Sequence, residues 1–347
     1  MEFLAYIYYG LGFALGVIIH LVLHELGHLA AGQLTGYRLV SFRLLNLLWA
    51  RDENGKLRLT KTPAVGGIAG QCLMAPDADE SGFRYKFYNA GGGLANLILG
   101  LAFLLPLFWL SGGAVRSLLF GVGFAGLWFG LLNLIPIRAS VPNDGANLRE
   151  AGKCTEAAHG FYLILKINAD MATGKFLADF PADTFAFSSD ANSGNYLVAN
   201  TMLLRAAQLE EQGNFGESYA ILSAIQKEKL PQFYAMQVTL NLMFHELVHF
   251  GDAASTARAR ERTTDQKLFQ KLPKIKHPAF LPFQAAKAAL LDGNIGKTTE
   301  LLSQAQTQLA ALQNPGEVHS IQLMLKRFAA RVNQESGVRA QDTGNAM

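Results

Sequence analysis

The sequence predicts an all-α membrane domain, with about three transmembrane helices and a small β-hairpin segment, followed by a soluble α-helical repeat domain. Three observations predict this fold class. Half of the 347 residues are hydrophobic and 16% are charged, which is apolar for a soluble protein and polar for a fully embedded one. Long apolar runs are confined to the part of the chain before residue 138. Beyond it, glycine turns recur at intervals of about 40 residues, as in helical-repeat proteins.

The domain organisation follows from these changes in composition. We expect a membrane domain, a linker with one helix, a tetratricopeptide-like repeat domain and a disordered tail, over residues 1–150, 151–192, 193–335 and 336–347. The net charge of +3 is too small to indicate a nucleic-acid-binding protein. The two cysteines, Cys72 and Cys154, lie far apart and indicate neither a disulfide framework nor a metal site.

The first apolar run extends from Phe3 to Leu23 and carries no formal charge. Because a helix rises about 1.5 Å per residue, roughly 20 such residues cross the hydrocarbon core of a bilayer. The run lacks the basic start and the cleavage site of a signal peptide, so we expect it to be retained. It leads directly into His24-Glu25-Leu26-Gly27-His28, and the helix is expected to end near Gly36.

This H-E-x-x-H motif points to a metal site. If the helix continues through it, His24 and His28 lie one turn apart on the same face. That arrangement presents two imidazoles to one zinc ion, with the glutamate beside the metal. Polar side chains at membrane depth are costly, which favours a functional role over a chance match. His20 lies one turn earlier, and we interpret it as a supporting or packing residue rather than a ligand.

A basic segment, residues 37–87, connects the first span to the second. Lys56 to Thr60 alternates like a strand and follows the turn-forming residues 52–55, which predicts a small hairpin. The segment is rich in lysine and arginine, whereas the chain before the first span has neither. The positive-inside rule therefore predicts a multi-pass protein of the cell membrane whose connecting segment and C-terminal domain are cytoplasmic.

The second and third spans are predicted at about residues 88–110 and 117–137. The short turn between them indicates an antiparallel pair of helices. Three consecutive glycines, 91–93, would allow close approach of helix backbones.

A third metal ligand has to come from elsewhere in the membrane domain, because a catalytic zinc usually takes three protein ligands and one water. Asp144, just beyond the third span, is the best candidate, and Glu150 is the alternative. Asn143-Asp144-Gly145 is equally typical of an ordinary turn. Spacing alone leaves these two interpretations open.

Three motifs occur in order within residues 1–150. They are the H-E-L-G-H motif, the glycine-rich Gly92-Gly93-Leu94-Ala95-Asn96, and Asn133-Leu134-Ile135-Pro136 followed by Asp144-Gly145. In this order they resemble the site-2 proteases, a family of membrane-embedded zinc metalloproteases. The resemblance implies Zn²⁺ as cofactor, His24, His28 and Asp144 as its ligands, and Glu25 as general base. It also implies that Asn96 helps to hold the substrate backbone or the oxyanion.

The function implied by the resemblance is that of a zinc metalloendopeptidase acting on membrane-inserted peptides or proteins. The expected binding partners are a membrane-inserted protein or peptide substrate and membrane lipid, with no nucleic acid. One alternative is a proteolytically inactive membrane scaffold whose helical repeats recruit partners, although the intact Glu25 argues against it. Another is a different membrane zinc enzyme that uses a downstream glutamate or histidine in place of Asp144.

The soluble part contains three helical runs, each followed by a glycine turn. The runs and their glycines are Tyr196–Glu211 with Gly213, Phe233–His249 with Gly251, and Phe280–Leu291 with Gly293. Helix, glycine turn and helix at this period resemble a degenerate tetratricopeptide array. Such arrays present concave surfaces, so we expect a protein partner or a substrate tail on this domain. Stabilisation of the membrane domain or dimerisation is the alternative.

A second H-E-x-x-H match, His245 to His249, falls inside the middle run. Aligned on the repeat glycines, His245 corresponds to Ala207, an ordinary helix position in the neighbouring unit. Asp252 is the one acidic residue close by in sequence that could complete a site. We therefore interpret this match as structural rather than as a zinc site.

Overall fold

The computed structural model describes residues 2–51, 56–61, 70–76, 80–187, 192–275 and 277–344. The chain divides into two compact units, Met1–Ala169 and Asp170–Met347. Most of the described chain is helical, and one small sheet lies in the first unit.

The first unit is built on three long apolar helices, α1 (Glu2–Leu34), α2 (Tyr85–Leu104) and α3 (Ala114–Leu134). All three are long and apolar enough to cross a membrane, as the sequence predicted. Every pair of them is in contact. Glycine sets the distance between α1 and α2, since a Cβ added at Gly27 would lie 2.5 Å from the carbonyl oxygen of Gly91.

The turn between α2 and α3 is closed by a partly buried charge–dipole contact. The Arg116 guanidinium donates hydrogen bonds to the carbonyls of Leu107 and Leu110. These carbonyls lie beyond the end of α2, where no following turn of that helix supplies N–H donors. Arg116 therefore links the start of α3 to the end of α2.

The connecting segment forms a four-stranded sheet rather than the predicted small hairpin. Its strands are β1 (Arg38–Leu44), β2 (Leu47–Arg51), β3 (Leu57–Lys61) and β4 (Gly70–Ala75), in the order β3-β2-β1-β4. All neighbours are antiparallel. The predicted strand after Lys56 is β3, while its predicted turn, residues 52–55, lies outside the described residues.

The hairpin of β1 and β2 was not predicted, because the turn between these strands has no standard turn sequence. Leu45, between β1 and β2, has a φ of 52°, a conformation that leucine rarely adopts. The sheet nevertheless matters for the site, because β4 packs along α1. Met74 of β4 is fully buried against Gly32 of α1.

Two further helices complete the first unit, α4 (Asp144–Ala151) and α5 (Thr155–Ala172). The imidazole Nδ1 of His159 on α5 lies 2.8 Å from Oε2 of Glu80, which precedes α2. Phe83 stands against the ring of Phe161 on α5 with ring centroids 5.8 Å apart. These contacts hold α5 beside the start of α2.

The second unit is helical. Its helices after α5 are α6 (Tyr196–Glu211), α7 (Phe215–Ala224), α8 (Gln232–Phe244), α9 (Ala253–Arg262), α10 (Gln266–Lys271), α11 (Leu281–Leu290), α12 (Ile295–Leu309) and α13 (Pro315–Gly344). A π-helical turn, His245–Phe250, follows α8. The last helix extends into the segment for which disorder was expected.

The three predicted glycine turns are present. Gly213, Gly251 and Gly293 have φ values of 83°, 64° and 63°, each after a helix that matches a predicted run. Only glycine adopts this conformation without cost, so each glycine ends its helix. That the resulting helix pairs form a tetratricopeptide array stays a prediction.

Candidate metal centre

Two histidines and one aspartate converge in the first unit. His24 and His28 come from α1, and Asp144 is the first residue of α4. Oδ2 of Asp144 lies 3.2 Å from Nε2 of His24 and 3.3 Å from Nε2 of His28. The two Nε2 atoms are 3.2 Å apart. The donor atoms face a common point and could hold a metal ion.

The ring of His28 is oriented by α2. Nδ1 of His28 lies 2.9 Å from the carbonyl oxygen of Tyr88, to which an Nδ1–H donates. A metal ion that displaces the Nε2 proton would then be bound through the Nε2 lone pair, which is the usual arrangement of a metal-ligating histidine. Gly92 of α2 makes room for both rings, because a Cβ there would lie 2.5 Å from Cε1 of His24 and 2.6 Å from Nε2 of His28.

Asn96 lies behind the histidines, 1% exposed. Its amide stands between two rings, with Oδ1 3.2 Å from Nδ1 of His20 and Nδ2 3.5 Å from Nδ1 of His24. His20 is fully buried and touches Asn96 rather than the donor cluster, in line with its interpretation as a supporting residue. Asn96 also borders the adjoining cavity.

Asp144 is held in place by the residue before it. Asn143 is the N-cap of α4, and its Oδ1 accepts from the backbone N–H of Ala146 at 2.9 Å. Its Nδ2 donates to the carbonyls of Leu132 and Ile135 at 2.6 and 2.8 Å. One side chain therefore fastens the start of α4 to the end of α3. The segment Asn143-Asp144-Gly145, for which the sequence allowed either a turn or a metal ligand, is the N-terminus of α4, and Asp144 belongs to the donor cluster.

Glu150, the alternative third ligand, lies apart from the histidines. It is buried, and its carboxylate bonds to Nζ of Lys153 at 2.7 Å.

Burial alone would raise the pKa of Asp144, but hydrogen bonds from His24 and His28 hold that pKa well below its usual range. Asp144 is therefore ionised, the state in which a carboxylate binds metal.

Glu25 lies on α1 between the two histidines and is 6% exposed. Its carboxylate faces the sheet, since a Cβ added at Gly70 of β4 would lie 2.6 Å from Oε1. The position of the carboxylate beside the donor cluster thus depends on a glycine in the adjacent strand.

A cavity of about 690 Å³ opens at these groups. His24, Glu25, His28 and Asp144 all border it. Its wall also includes polar groups such as Asn133 and Asn147 and apolar groups from α1, α3 and α5, among them Leu21, Phe129 and Ile164. The donor cluster is therefore reachable by a small molecule or an extended chain.

A second donor cluster lies in the second unit, at the second H-E-x-x-H match, for which a structural role was predicted. Glu210 of α6 meets His245 and His249 of the π-helical turn, with donor atoms close enough to hold a metal ion. Asp252 takes no part and instead caps α9, accepting from the N–H of Ser255 at 2.8 Å. Asp252, the one candidate close by in sequence, is therefore not the third donor, because packing against α6 supplies Glu210 instead.

The protonation states of His245 and Glu210 suit metal binding. Burial lowers the pKa of His245 to about 4, so its ring is neutral at neutral pH. Burial alone would raise the pKa of Glu210, but the hydrogen bond to His249 and the nearby charges lower it. Neutral imidazole and ionised carboxylate are the forms that ligate.

Sequence reasoning missed Tyr88, Asn143 and Glu210 as residues that shape these clusters. Tyr88 and Glu210 act through contacts with residues distant in sequence. Asn143 bonds to carbonyls 8 and 11 residues away, and its N-cap position has a local signal. Comparison of the chain with protein-family models, with curated proteins and with solved structures finds no match.

Proposed function

We propose that the protein is a membrane-embedded zinc metalloendopeptidase that cleaves membrane-inserted peptides or proteins. The observation that carries the proposal is the meeting of His24, His28 and Asp144 at one point, with the carboxylate of Glu25 beside them. The helix that carries three of these residues is long and apolar enough to cross a membrane. Two imidazoles and a carboxylate are a donor set typical of catalytic zinc.

The surrounding hydrogen bonds fit such an ion. Ligation through Nε2 leaves a proton on Nδ1 of each histidine, and each proton needs an acceptor. For His28 the acceptor is the carbonyl of Tyr88. For His24 the acceptor is Asn96, provided that the Asn96 amide is rotated by half a turn so that Oδ1 rather than Nδ2 faces the ring. The two orientations of an amide have the same shape, so the rotation needs no change in packing. Asn96 then supports His24, in addition to the role toward substrate that the resemblance implies.

Glu25 is the proposed general base. A zinc ion at the three donors would polarise the scissile carbonyl and lower the pKa of water from about 15.7 toward about 7. Glu25 takes the proton of the attacking water and delivers it to the leaving amine. Its carboxylate is buried next to the donors and beside the cavity, where both proton transfers would occur.

The proposed substrate is a membrane-inserted segment that enters the cavity from the lipid side. Water has to reach the same point, and the asparagines of the cavity wall favour its entry. The distribution of basic residues supports a cytoplasmic location for the connecting segment and the second unit. In that topology the helical second unit is available to a cytoplasmic partner or to a substrate tail.

The test replaces Glu25 by glutamine in the full-length protein, purified in detergent and assayed on a transmembrane peptide. Glutamine keeps the size and hydrogen-bonding capacity of the side chain but takes no proton at neutral pH. We expect zinc content equal to wild type and cleavage reduced by about 10²- to 10⁴-fold, the usual contribution of a general base. Zinc is measured by mass spectrometry and cleavage by product analysis.

Glu217→Gln is the matched control, because Glu217 is an exposed carboxylate of the second unit. It should leave both zinc and cleavage unchanged. Cleavage by Glu25→Gln at the wild-type rate would overturn the assignment of the base. A wild-type protein that binds zinc but cleaves no membrane-inserted substrate would support the scaffold alternative.

A further inference from the structure

We propose that Glu210, His245 and His249 form a second zinc site, one that is structural and closed. The two histidines sit one turn apart and the carboxylate comes from another helix, α6. The proposal concerns the second unit alone and does not rest on the proposed peptidase activity.

The spacing of the rings in the two histidine pairs is nearly the same, although the angles between the ring planes differ, at 86° and 59°. Ring centroids are 4.7 Å apart for His24 and His28 and 4.8 Å apart for His245 and His249. In the second pair, Nε2 of His249 lies 3.3 Å from Oε1 of Glu210, and Nε2 of His245 lies 3.8 Å from Oε2. Both Nε2 atoms therefore face the same carboxylate, as they would around one ion.

The rings are held in these orientations by packing. His249 stacks on Phe215 of α7, with ring centroids 3.9 Å apart and planes at 8°. His245 is fully buried and stands edge-on to Phe215 and Tyr219. The π-helical turn also distinguishes this stretch, since such turns are rare and often occur at functional sites.

A fourth donor, the hydroxyl oxygen of Ser218, lies within reach. The Ser218 hydroxyl donates to the carbonyl of Ala206 at 2.8 Å, so the lone pairs of Oγ are free to face the cluster. Oγ is 3.1 Å from Nε2 of His245. Two imidazoles, a carboxylate and a hydroxyl would fill a four-coordinate zinc shell with protein atoms and leave no position for water, which would make the site closed.

Two features favour a metal-free interpretation. One is Nδ1 of His245, which is buried and has no hydrogen-bond partner among the described residues, although ligation through Nε2 would leave a proton on it. The other is Arg327. Nη1 of Arg327 lies 3.5 Å from Oε1 of Glu210, so the cluster could instead be a buried ion pair. A carboxylate has about four lone-pair positions, however, and can accept from Arg327 while binding an ion. Measurement of zinc separates the two interpretations.

The site would not be hydrolytic. Glu246, in the position that Glu25 holds in the first motif, bonds to Nε and Nη2 of Arg262 at 2.8 and 2.9 Å and accepts from the Tyr219 hydroxyl at 2.6 Å. It is also fully buried. A carboxylate neutralised in this way is a poor general base. The ion would instead tie α6 to the turn after α8.

The decisive experiment leaves the second unit unaltered. Full-length wild type and His24→Ala/His28→Ala are purified in detergent, equilibrated with Zn²⁺, washed free of loosely held metal, and analysed for zinc per chain. We expect two ions per wild-type chain and one in the double variant. One ion in wild type and none in the double variant would overturn the proposal.

Three further variants assign the second ion. His245→Ala/His249→Ala should bind one zinc instead of two, and Glu210→Gln should bind the second ion at least about tenfold more weakly. His319→Ala, which alters a histidine outside both clusters, should keep two. Loss of an ion from His319→Ala, or two ions in His245→Ala/His249→Ala, would contradict the assignment.

Discussion

At the scale of single residues, Gly92 leaves the space that His24 and His28 of α1 need to bind a metal ion together. It stands where α2 comes closest to both rings, and any side chain there would enter the space that Cε1 of His24 and Nε2 of His28 occupy. The role is steric. The helix at Gly92 has ordinary dihedral angles, so no conformational need for glycine exists at this position.

Gly92→Ala should therefore abolish or weaken zinc binding at the first site. The added Cβ would lie 2.5 Å from His24 and 2.6 Å from His28, closer than carbon contacts allow, and the rings would have to move apart. We expect an affinity at least about tenfold lower, by analogy with other changes that disturb ligand orientation. Gly10→Ala, also in a membrane-length helix but with open space around it, is the control and should bind normally. Equal affinity in the two variants would refute the steric role.

Gly70 has a comparable role toward the proposed base. Gly70→Ala would place a Cβ 2.6 Å from Oε1 of Glu25, which is the end of a flexible side chain and can swing away. We expect zinc and fold to be kept while kcat falls by roughly 10²-fold, the cost of displacing a catalytic group by about 1 Å. Zinc content and single-turnover cleavage would measure this, with Gly82→Ala, which meets no neighbour, as control. An unchanged kcat would mean that Glu25 acts from another position.

At the scale of secondary-structure elements, the short helix α4 brings Asp144 to α1. A helix of eight residues has little stability of its own, so its place depends on how its ends are fastened. Asn143 does this with one side chain, which caps α4 and binds two carbonyls at the end of α3. The first residue of the helix is then fixed opposite the histidines.

Asn143→Ala should loosen α4 and weaken zinc binding. Loss of the cap costs about 1 kcal/mol, and the carbonyls of Leu132 and Ile135 lose their donor as well. We expect zinc affinity at the first site to fall about tenfold, because Asp144 is no longer held in place. The measurement is competition with a chelator of known affinity.

Asn294→Ala provides a matched control for that change. Asn294 caps α12 by accepting from the N–H of Lys297 at 2.9 Å, and α12 carries none of the metal-binding candidates. Its replacement should cost similar stability and leave zinc affinity unchanged. If both variants lost affinity alike, the effect of Asn143 would be general destabilisation.

At the scale of the whole molecule, the first unit includes α5, which lies beyond the membrane domain predicted at residues 1–150. Phe161, Ile164 and Leu165 of this helix form part of the cavity wall. The hydrogen bond between His159 and Glu80 fastens α5 to the start of α2. A minimal catalytic unit should therefore contain α5.

A pair of truncations tests this. A chain ending after Ala172 should bind zinc and cleave a generic transmembrane peptide, because every residue that borders the cavity is retained. A chain ending after Lys153 lacks one wall, so we expect a KM at least about tenfold higher, as remote contacts contribute binding. Steady-state kinetics on the same peptide would show the difference. Equal KM values for the two chains would mean that α5 does not contact substrate.

The sequence by itself determined the features that depend on neighbours along the chain. Apolar runs of membrane length predicted α1, α2 and α3, because the number of residues needed to cross a bilayer is set by helical rise alone. The motif placed two imidazoles on one face for the same reason. Glycine turns predicted the ends of three helices in the second unit, since a positive φ is a local property.

Only the tertiary structure decided which distant residues meet. Spacing left Asp144 open between a turn and a ligand, and packing of α4 against α2 and α3 brings it rather than Glu150 to the histidines. Glu210 joins His245 and His249 because α6 packs beside the turn after α8, a contact that leaves no periodic pattern in either segment. Donor clusters are made by side chains from different helices, and their convergence depends on helix packing, which local sequence does not encode.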